Sequence, residues 1–139
     1  MLNNITVAII KPNAVSAGKT GPILSMICEA GFHISAMKML QMTARQAQEF
    51  YLVHKDRPLY DSLVEFMTSG PVVVMILKRS RAVGEFRKLI GATDPARAET
   101  GTIRNIFGAS VQMNAIHGSD SDENAQKEAA FFFPLMERF

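Results

Sequence analysis

Apolar residues recur along the chain with two different spacings, and each spacing predicts one kind of element. Short β-branched, continuous or partly alternating apolar runs predict buried strands at residues 5–10, 32–42, 72–77 and 111–117. Apolar positions three and four apart predict helices at residues 21–30, 44–53, 60–67, 83–90 and 121–131. Residues suited to helix ends support these bounds: Thr43 and Ser121 or Asp122 as N-caps, and Gly31 and Gly91 as stops.

This order of elements predicts a mixed α/β (α+β) fold of the ferredoxin-like type, in which helices cover one four-stranded antiparallel sheet. No repeat, low-complexity stretch or linker divides the chain, so we expect a single domain over residues 1–139. Residues 92–110 lack a periodic pattern and contain Pro95 and two glycines. A long irregular loop inside a small domain is usually functional or lies at an interface.

Composition narrows the class of function. The net charge is only +2, which argues against a sequence-independent grip on nucleic acid, so anion binding would depend on a few well-placed cations. Cys28 is the one cysteine, which excludes an intrachain disulfide and a multi-cysteine metal site; its apolar neighbours predict a buried side chain. Neither a leader pattern nor an apolar stretch of about 20 residues is present, so we expect a cytoplasmic protein.

His117 differs from the other two histidines in its surroundings. An apolar run ends at His117 and polar residues follow at once, which places the imidazole at a strand end beside a helix start, where anions collect. A free imidazole is mostly uncharged at pH 7 and can act as a nucleophile when a partner holds its other nitrogen. Three side chains are candidates for that partner: Ser119, Asp120 and Glu128. A histidine satisfied within a turn is the alternative, and His33 and His54 are expected to be structural or exposed.

Several cations flank irregular segments and could bind phosphate, to which the planar fork of arginine is well suited. They are Lys11, Arg87, Arg97 and Arg104. Each could equally be a solvated surface charge. Residues 18–20, Gly-Lys-Thr, imitate the end of a P-loop, but the glycine required five positions earlier is replaced by Asn13. A P-loop ATPase is therefore excluded, and the motif set of protein kinases is absent as well.

Five segments, taken together and in order, resemble the nucleoside diphosphate kinase family. Residues 114–121, NAIHGSDS, resemble the family's signature around its phosphorylated histidine. The others are IKPNAV at 10–15, FMTSGPVV at 66–73, GATDP at 91–95 and GTIR at 101–104. The resemblance extends from about residue 6 to residue 133, which is nearly the whole chain.

The resemblance implies a nucleoside diphosphate kinase with a ping-pong reaction, in which His117 takes the γ-phosphate of a nucleoside triphosphate and passes it to a nucleoside diphosphate. Four side chains are then expected to bind the phosphates: Lys11, Arg87, Thr93 and Arg104. Lys11 and Asn114 would approach the sugar hydroxyls, and Leu59 would contact the base. Three further residues would assist the chemistry: Tyr51 by positioning Lys11 and the phosphate, Ser119 and Glu128 by orienting His117. Mg2+ would arrive with the nucleotide, without dedicated protein ligands.

Three positions depart from the family pattern. Asn13 stands where the family usually has Asp, Leu59 where it has an aromatic residue that stacks on the base, and Ile106 where it often has Asp. Tyr60 could substitute for the missing ring. Because the phosphate-binding residues are present, these departures predict weaker or altered nucleotide affinity but intact chemistry.

Two other classes of function compete with this prediction. A catalytically silent nucleotide-binding or scaffold homologue would be expected to lose the histidine or its cations, and the chain keeps both. A nucleic-acid-binding module on the same architecture would need exposed aromatic residues on its strands and a basic face, which residues 72–77 do not offer. The resemblance also implies a homo-oligomer, a tetramer or hexamer, and Phe131 to Phe133 could serve either its interface or the monomer's core.

Overall fold

A four-stranded antiparallel sheet forms the centre of the molecule, which we describe over residues 4–139 in a computed structural model. The strands are β1 (Ile5–Ile10), β2 (His33–Leu40), β3 (Val72–Lys78) and β4 (Ile116–Gly118). Their order across the sheet is β2-β3-β1-β4, and all three pairings are antiparallel. The predicted ferredoxin-like sheet covered by helices is therefore confirmed.

Seven α-helices connect and cover the strands in the described residues. They are α1 (Pro12–Ser16), α2 (Thr20–Glu29), α3 (Ala44–Phe50), α4 (Tyr60–Met67), α5 (Ala82–Ile90), α6 (Ile103–Phe107) and α7 (Asp122–Phe132). Short 3-10 turns occupy Leu52–His54, Pro95–Arg97 and Leu135–Glu137. Thr43 begins α3 with a capping box, and the Ser121 side chain accepts a hydrogen bond from the Asn124 amide at the start of α7. Within residues 4–139, no helix is both long enough and apolar enough to cross a bilayer.

Helices pack on both faces of the sheet, which explains why the central strands β1 and β3 are apolar at all positions except Thr6 and Lys78. One face of β1 and β3 packs with Ala47 of α3, Met67 of α4 and Ala129 of α7. The other face packs with Ile27 of α2 and Phe86 of α5. A strand buried on both faces requires a continuous apolar run in place of an alternating one. The two cores hold the ends of β1 and β4 in fixed positions.

The structure corrects several sequence-based bounds. The strand predicted at residues 111–117 is limited to Ile116–Gly118, because Ala115 has a positive φ of 77° that interrupts the extended chain. The segment 92–110, predicted to be irregular, contains α6, whose start is capped by Thr102. Helix α1 was not predicted; Pro12 at its first turn supplies a favourable φ. The helix predicted to reach residue 53 ends at Phe50 and continues as a 3-10 turn.

Two predictions of burial are settled by the packing. Cys28 is exposed, so the prediction of a buried cysteine is wrong: Ile23 and Ile27 direct α2 at the core, and Cys28 lies one position beyond that face. Of the three consecutive phenylalanines, Phe132 and Phe133 belong to the core, whereas Phe131 is 39% exposed.

Candidate functional site

Segments distant in the sequence meet at the end of β1. Ile9 lies opposite His117 in the sheet, so the chain that leaves β1 at Lys11 passes close to the start of β4. The Lys11 amide donates a hydrogen bond to the Ala115 carbonyl oxygen at 2.8 Å. The Lys11 side chain is buried, and its Nζ lies 3.4 Å from the carbonyl oxygen of Gln112. An ammonium group and an imidazole are thereby fixed to neighbouring strands.

The backbone before β4 is held in a strained conformation. Ala115 is fully buried and has a φ of 77°, a region that residues other than glycine rarely occupy. Strain of this kind costs about 1–3 kcal/mol and persists only where the surroundings fix it. Here the Lys11 amide binds Ala115, and the Asn114 side chain donates to the Thr93 carbonyl oxygen at 2.9 Å. The turn at Ala115 therefore separates Asn114 from β4, and the hydrogen bond to Thr93 connects Asn114 to the segment that follows α5.

Arg104 connects α6 to both of these segments. Its guanidinium donates from Nη2 to the Ile116 carbonyl oxygen at 2.9 Å and from Nη1 to the Gly91 carbonyl oxygen at 3.0 Å. Gly91 permits this close approach: it has a φ of 87°, and a Cβ there would lie 2.5 Å from the Thr102 hydroxyl. The carbonyl oxygen that Arg104 binds belongs to the residue immediately before His117, so a buried guanidinium is fixed beside β4.

Neighbouring positive charges lower the pKa values of two buried cations, Lys11 and Arg104. The pKa of Lys11 is lowered to about 7, first because burial removes water from the ammonium and second because the Arg104 guanidinium is close. The pKa of Arg104 is lowered to about 10, again mainly by burial, with Arg87 as the second cause. Like charges held together without carboxylates among them destabilise the fold and create a site that favours an anion carrying several charges.

This arrangement predicts an unusual dependence of stability on pH. Unfolded Lys11 keeps its proton to about pH 10.5, whereas the folded protein releases it near pH 7. Between these values the unfolded chain binds more protons, so the free energy of unfolding rises with pH, by up to about 1.4 kcal/mol per unit from this group. In Lys11→Met that contribution should be absent and the protein should be more stable at pH 6–7. Urea unfolding of both proteins from pH 6 to pH 9, in a buffer without polyanions, measures the difference; parallel curves would contradict it.

His117 is oriented by a carboxylate and a hydroxyl on its far side. Its Nε2 lies 3.0 Å from Glu128 Oε1, and the Ser119 hydroxyl donates to the same oxygen at 2.7 Å. The Val7 amide donates to the Ser119 oxygen at 3.0 Å, which fixes that hydroxyl to β1. A carboxylate only accepts, so Nε2 carries the proton and Nδ1 keeps its lone pair free. The His117 side chain is 20% exposed, so the ring lies at the surface of the core and not within it.

An aromatic ring also packs against the imidazole of His117. Phe50 meets the His117 ring edge-on, with 5.6 Å between ring centroids. Tyr51 is buried beside Phe50, and its pKa is raised, mainly by burial and further by the Glu128 carboxylate. The phenol therefore keeps its proton at all ordinary pH values and can act as a hydrogen-bond donor.

A cleft of about 670 Å³ opens beside this cluster, between α4 and the turn at residues 109–113. One part of its lining is polar: Lys11, His54, Arg57, Thr93, Arg104, Gln112 and Asn114. The other part is largely apolar: Pro58, Leu59, Tyr60, Leu63 and Val111. A ligand that fits this lining has an anionic or polar part joined to a flat or apolar part.

The structure brings most of the sequence-predicted site residues together. Five line the cleft: Lys11, Leu59, Thr93, Arg104 and Asn114. His117, Ser119, Glu128 and Tyr51 form the adjoining hydrogen-bonded and aromatic cluster. Arg87 is exposed on α5 and is not among the residues that line the cleft, but its positive charge contributes to the lowered pKa of Arg104.

Other residues considered from the sequence lie elsewhere. Asp120 accepts a hydrogen bond from Asn124 at 2.6 Å and makes none of the contacts found for His117. Arg97 is exposed and pairs with Asp94 at 4.0 Å. Ile106, at a position of departure from the family pattern, is 52% exposed.

Sequence reasoning missed several cleft residues, of which His54 is the clearest. It was expected to be structural or exposed, yet it lines the cleft, and its buried Nδ1 has no hydrogen-bond partner among the described residues. Arg57 and Val111 also line the cleft. The sequence offers one signal for these two residues: Arg57 lies close to Leu59 in the chain, and Val111 lies close to Asn114, in short segments between elements. The departure at Asn13 has a local explanation too, because its amide donates to the Met113 carbonyl oxygen at 3.1 Å, which an aspartate could not do.

Comparison with known proteins gives one consistent family. The family model described as Nucleoside diphosphate kinase matches residues 4–138. A nucleoside diphosphate kinase of Flavobacterium psychrophilum is 52% identical over 139 residues, covering 100% of both chains. A nucleoside diphosphate kinase of Salinibacter ruber is 50% identical over 134 residues, covering 96% of this chain and 94% of the relative.

Solved structures agree with the sequence relatives. The nucleoside diphosphate kinase of Aquifex aeolicus superposes with a TM-score of 0.96 at 42% identity, covering 98% of this chain and 99% of that chain. A halophilic nucleoside diphosphate kinase from Halobacterium salinarum, in complex with CDP, superposes with a TM-score of 0.94 at 35% identity, covering 99% and 91%.

Proposed function

Because the chain belongs to the nucleoside diphosphate kinase family, and is thus a phosphotransferase that acts on nucleotides, we propose that His117 is the residue that carries the phosphoryl group. The observation that carries this proposal is the hydrogen bond from His117 Nε2 to Glu128. It leaves Nδ1 as the nucleophilic nitrogen, on a residue whose chain neighbour, Ile116, accepts a hydrogen bond from the buried Arg104 guanidinium.

In the first half-reaction, Nδ1 of His117 attacks the γ-phosphorus of a nucleoside triphosphate. A nitrogen–phosphorus bond forms while the bond from the γ-phosphorus to the bridging oxygen breaks, and the nucleoside diphosphate leaves with that electron pair. The imidazole gains positive charge, which the Glu128 carboxylate offsets through the proton on Nε2. Positioning and charge neutralisation account for most of the rate enhancement in phosphoryl transfer.

In the second half-reaction, a terminal phosphate oxygen of a different nucleoside diphosphate attacks the same phosphorus. The nitrogen–phosphorus bond breaks, its electron pair returns to Nδ1, and a new nucleoside triphosphate leaves. A covalent intermediate allows one cleft to serve donor and acceptor in turn. The Halobacterium salinarum structure in complex with CDP supports a nucleoside diphosphate as a ligand of this protein as well.

We assign four residues in the polar part of the cleft to the phosphates and the sugar: Lys11, Thr93, Arg104 and Asn114. Four groups bind the phosphates: Lys11, Arg87, Thr93 and Arg104. Lys11 and Asn114 approach the sugar hydroxyls, and the buried Tyr51 helps to position Lys11 and the phosphate. A bound polyphosphate raises the pKa of Lys11 above about 7, because it adds negative charge beside the ammonium. The small net charge of the protein is therefore no obstacle to binding.

Magnesium fits this site as a companion of the nucleotide. The cleft lining described here offers cations, amides and hydroxyls but no carboxylate, and residues 4–139 contain no group of three or more metal-binding side chains. Phosphate oxygens would therefore hold Mg2+, and the ion would neutralise charge on the phosphates when bound.

The apolar part of the cleft is assigned to the base, which must be held loosely if all nucleosides are to fit. Leu59 is 71% exposed on one wall, and Val111 is 55% exposed on the other. A ring at position 59 would stack on the base, a contact worth about 1–3 kcal/mol where it has been measured in other proteins. Leu59→Phe should therefore lower the Michaelis constant for ATP about threefold to tenfold with little change in kcat. Steady-state kinetics measure the effect, and Leu52→Phe is the control because Leu52 is exposed and lies outside the cleft lining. A Michaelis constant for ATP that stays the same or rises in Leu59→Phe would reject the assignment of Leu59 to the base.

Assembly and location remain proposals. We propose one domain and a homo-oligomer, a tetramer or hexamer, as the family resemblance implies. Exposed apolar side chains support an interface between copies: Met37 and Met39 on the edge strand β2, and Leu135, Met136 and Phe139 near the C-terminus. A cytoplasmic location remains a prediction from the sequence.

The experiment that tests the proposed function is phosphorylation without an acceptor. The protein is incubated with ATP labelled at the γ-phosphate and Mg2+, then separated from nucleotide. We expect about one label per chain, stable in base and labile in acid, and fully released by any added nucleoside diphosphate. Turnover without a labelled protein would reject the covalent route, and a label stable in acid would reject histidine as the carrier.

A further inference from the structure

The two walls of the base cleft are joined by one side-chain hydrogen bond. Ser62 on α4 lies 3.1 Å from the side-chain amide of Gln112, at the tip of the turn 109–113. It is the only side-chain hydrogen bond between α4 and this turn among residues 4–139. The turn closes on itself, because the Ala109 amide donates to the Met113 carbonyl oxygen at 2.8 Å. The contact between Ser62 and Gln112 therefore joins the turn directly to α4, whereas Lys11 and Asn13 hold the turn to the end of β1 and the start of α1.

Donor counting defines how this contact is made. The Ser62 oxygen also lies 3.0 Å from the Leu59 carbonyl oxygen, and a hydroxyl has only one proton. The amide oxygen and nitrogen of Gln112 are interchangeable by rotation. Both contacts are satisfied when Ser62 donates to Leu59 and Gln112 donates to the Ser62 oxygen. In that arrangement the Ser62 hydroxyl links Gln112 to the carbonyl oxygen of Leu59, which lines the opposite wall.

Gln112 also reaches the phosphate end of the cleft. Its carbonyl oxygen lies 3.4 Å from Lys11 Nζ, and the residue itself lines the cleft beside Val111. A displacement of Gln112 would thus move the Val111 wall away from the Leu59 wall.

We propose that Ser62 and Gln112 form a clasp that fixes the separation of the two apolar walls and so sets how tightly the nucleotide base is held. The clasp is a positioning device for substrate affinity, and it rests on the assignment of this cleft to the nucleotide. Preorganised walls bind without first having to be ordered, so the clasp lowers the Michaelis constant for donors that carry a base. It has no role in the transfer step at His117.

The test compares ATP with ribose 5-triphosphate, a donor that keeps the sugar and the phosphates but has no base. Gln112→Ala and Ser62→Ala should each raise the Michaelis constant for ATP about fivefold, leave kcat within about twofold, and leave the constant for ribose 5-triphosphate unchanged. Ser62→Thr, which keeps the hydroxyl, should resemble the unmodified protein. The double variant should be no worse than either single variant, because both remove the same contact.

Controls separate failure of the clasp from failure of the site. Ser25→Ala, at an exposed serine on α2, should change neither donor's kinetics. Arg104→Ala should weaken the binding of both donors. If it does, and Gln112→Ala changes the Michaelis constant of neither donor or of both equally, the clasp is rejected and the nucleotide site stands. If Arg104→Ala also leaves both donors unchanged, the nucleotide site itself is misplaced.

Discussion

Replacing His117 with alanine is expected to lower kcat/KM for phosphoryl transfer at least about 10⁴-fold. The substitution removes the atom that forms the covalent intermediate, and none of the neighbouring groups can replace it. The Ser119 hydroxyl is engaged by Glu128, and the Tyr51 phenol keeps its proton because its pKa is raised. Transfer would then require both nucleotides in a cleft that we assign to one at a time. Steady-state assays with ATP and a nucleoside diphosphate measure the loss.

His33→Ala is the matched control for this experiment, because His33 is exposed on the edge strand β2. It should retain full activity. The His117→Ala protein should still bind ATP with an affinity close to that of the unmodified protein, since the phosphate contacts are assigned to other residues. Retention of more than about a hundredth of the activity by His117→Ala would reject His117 as the nucleophile.

Glu128→Gln should cause the second largest loss, about 10²-fold to 10³-fold in kcat, with a small change in the Michaelis constant. The carboxylate can only accept, so it selects the tautomer with the proton on Nε2 and the lone pair on Nδ1. A glutamine amide can donate to Nε2 instead, which moves the proton to Nδ1 and removes the nucleophilic lone pair. It also removes the negative charge that offsets the imidazolium. Nitrogen NMR of the His117 ring reports the tautomer, and steady-state kinetics report kcat.

Two controls make this prediction specific. Glu123→Gln changes an exposed glutamate on the same helix, paired with Lys127 at 3.3 Å, and should be silent. Ser119→Ala removes a bond to Glu128 but keeps the carboxylate, so its loss should be only about tenfold. If Glu128→Gln changes the tautomer without lowering kcat, the orientation of His117 by Glu128 is not part of the mechanism.

Most of the fold follows from apolar periodicity, and the failures have physical causes. Residues 72–77 are predictable as a strand because a turn is followed by a continuous apolar run, as a strand buried on both faces requires. Helix α4 is predicted with its observed bounds, Tyr60–Met67. Helices α1 and α6 have five residues each, too few to show a period. The late start of β4 is set by Ala115, whose conformation depends on a bond from Lys11 that the local sequence does not reveal.

The site was predictable where its residues belong to one segment and less so where folding assembles them. His117 and Ser119 are two positions apart, and a strand followed by a helix places them together. His54 is far from both in sequence and enters the cleft through the turn after α3, so no local pattern identifies it. The clustering of Lys11 with Arg104 likewise depends on Gly91, which allows α6 to approach β4.

The position of the phosphoryl group in the labelled protein tests the central claim most directly. Phosphorus NMR of the phosphorylated protein, followed by peptide mapping, distinguishes the two nitrogens of a phosphohistidine. We predict a single species, phosphorylated on Nδ1 of His117, that disappears when a nucleoside diphosphate is added. Phosphorus on Nε2, which Glu128 occupies in the structure, or on any other residue would contradict the account.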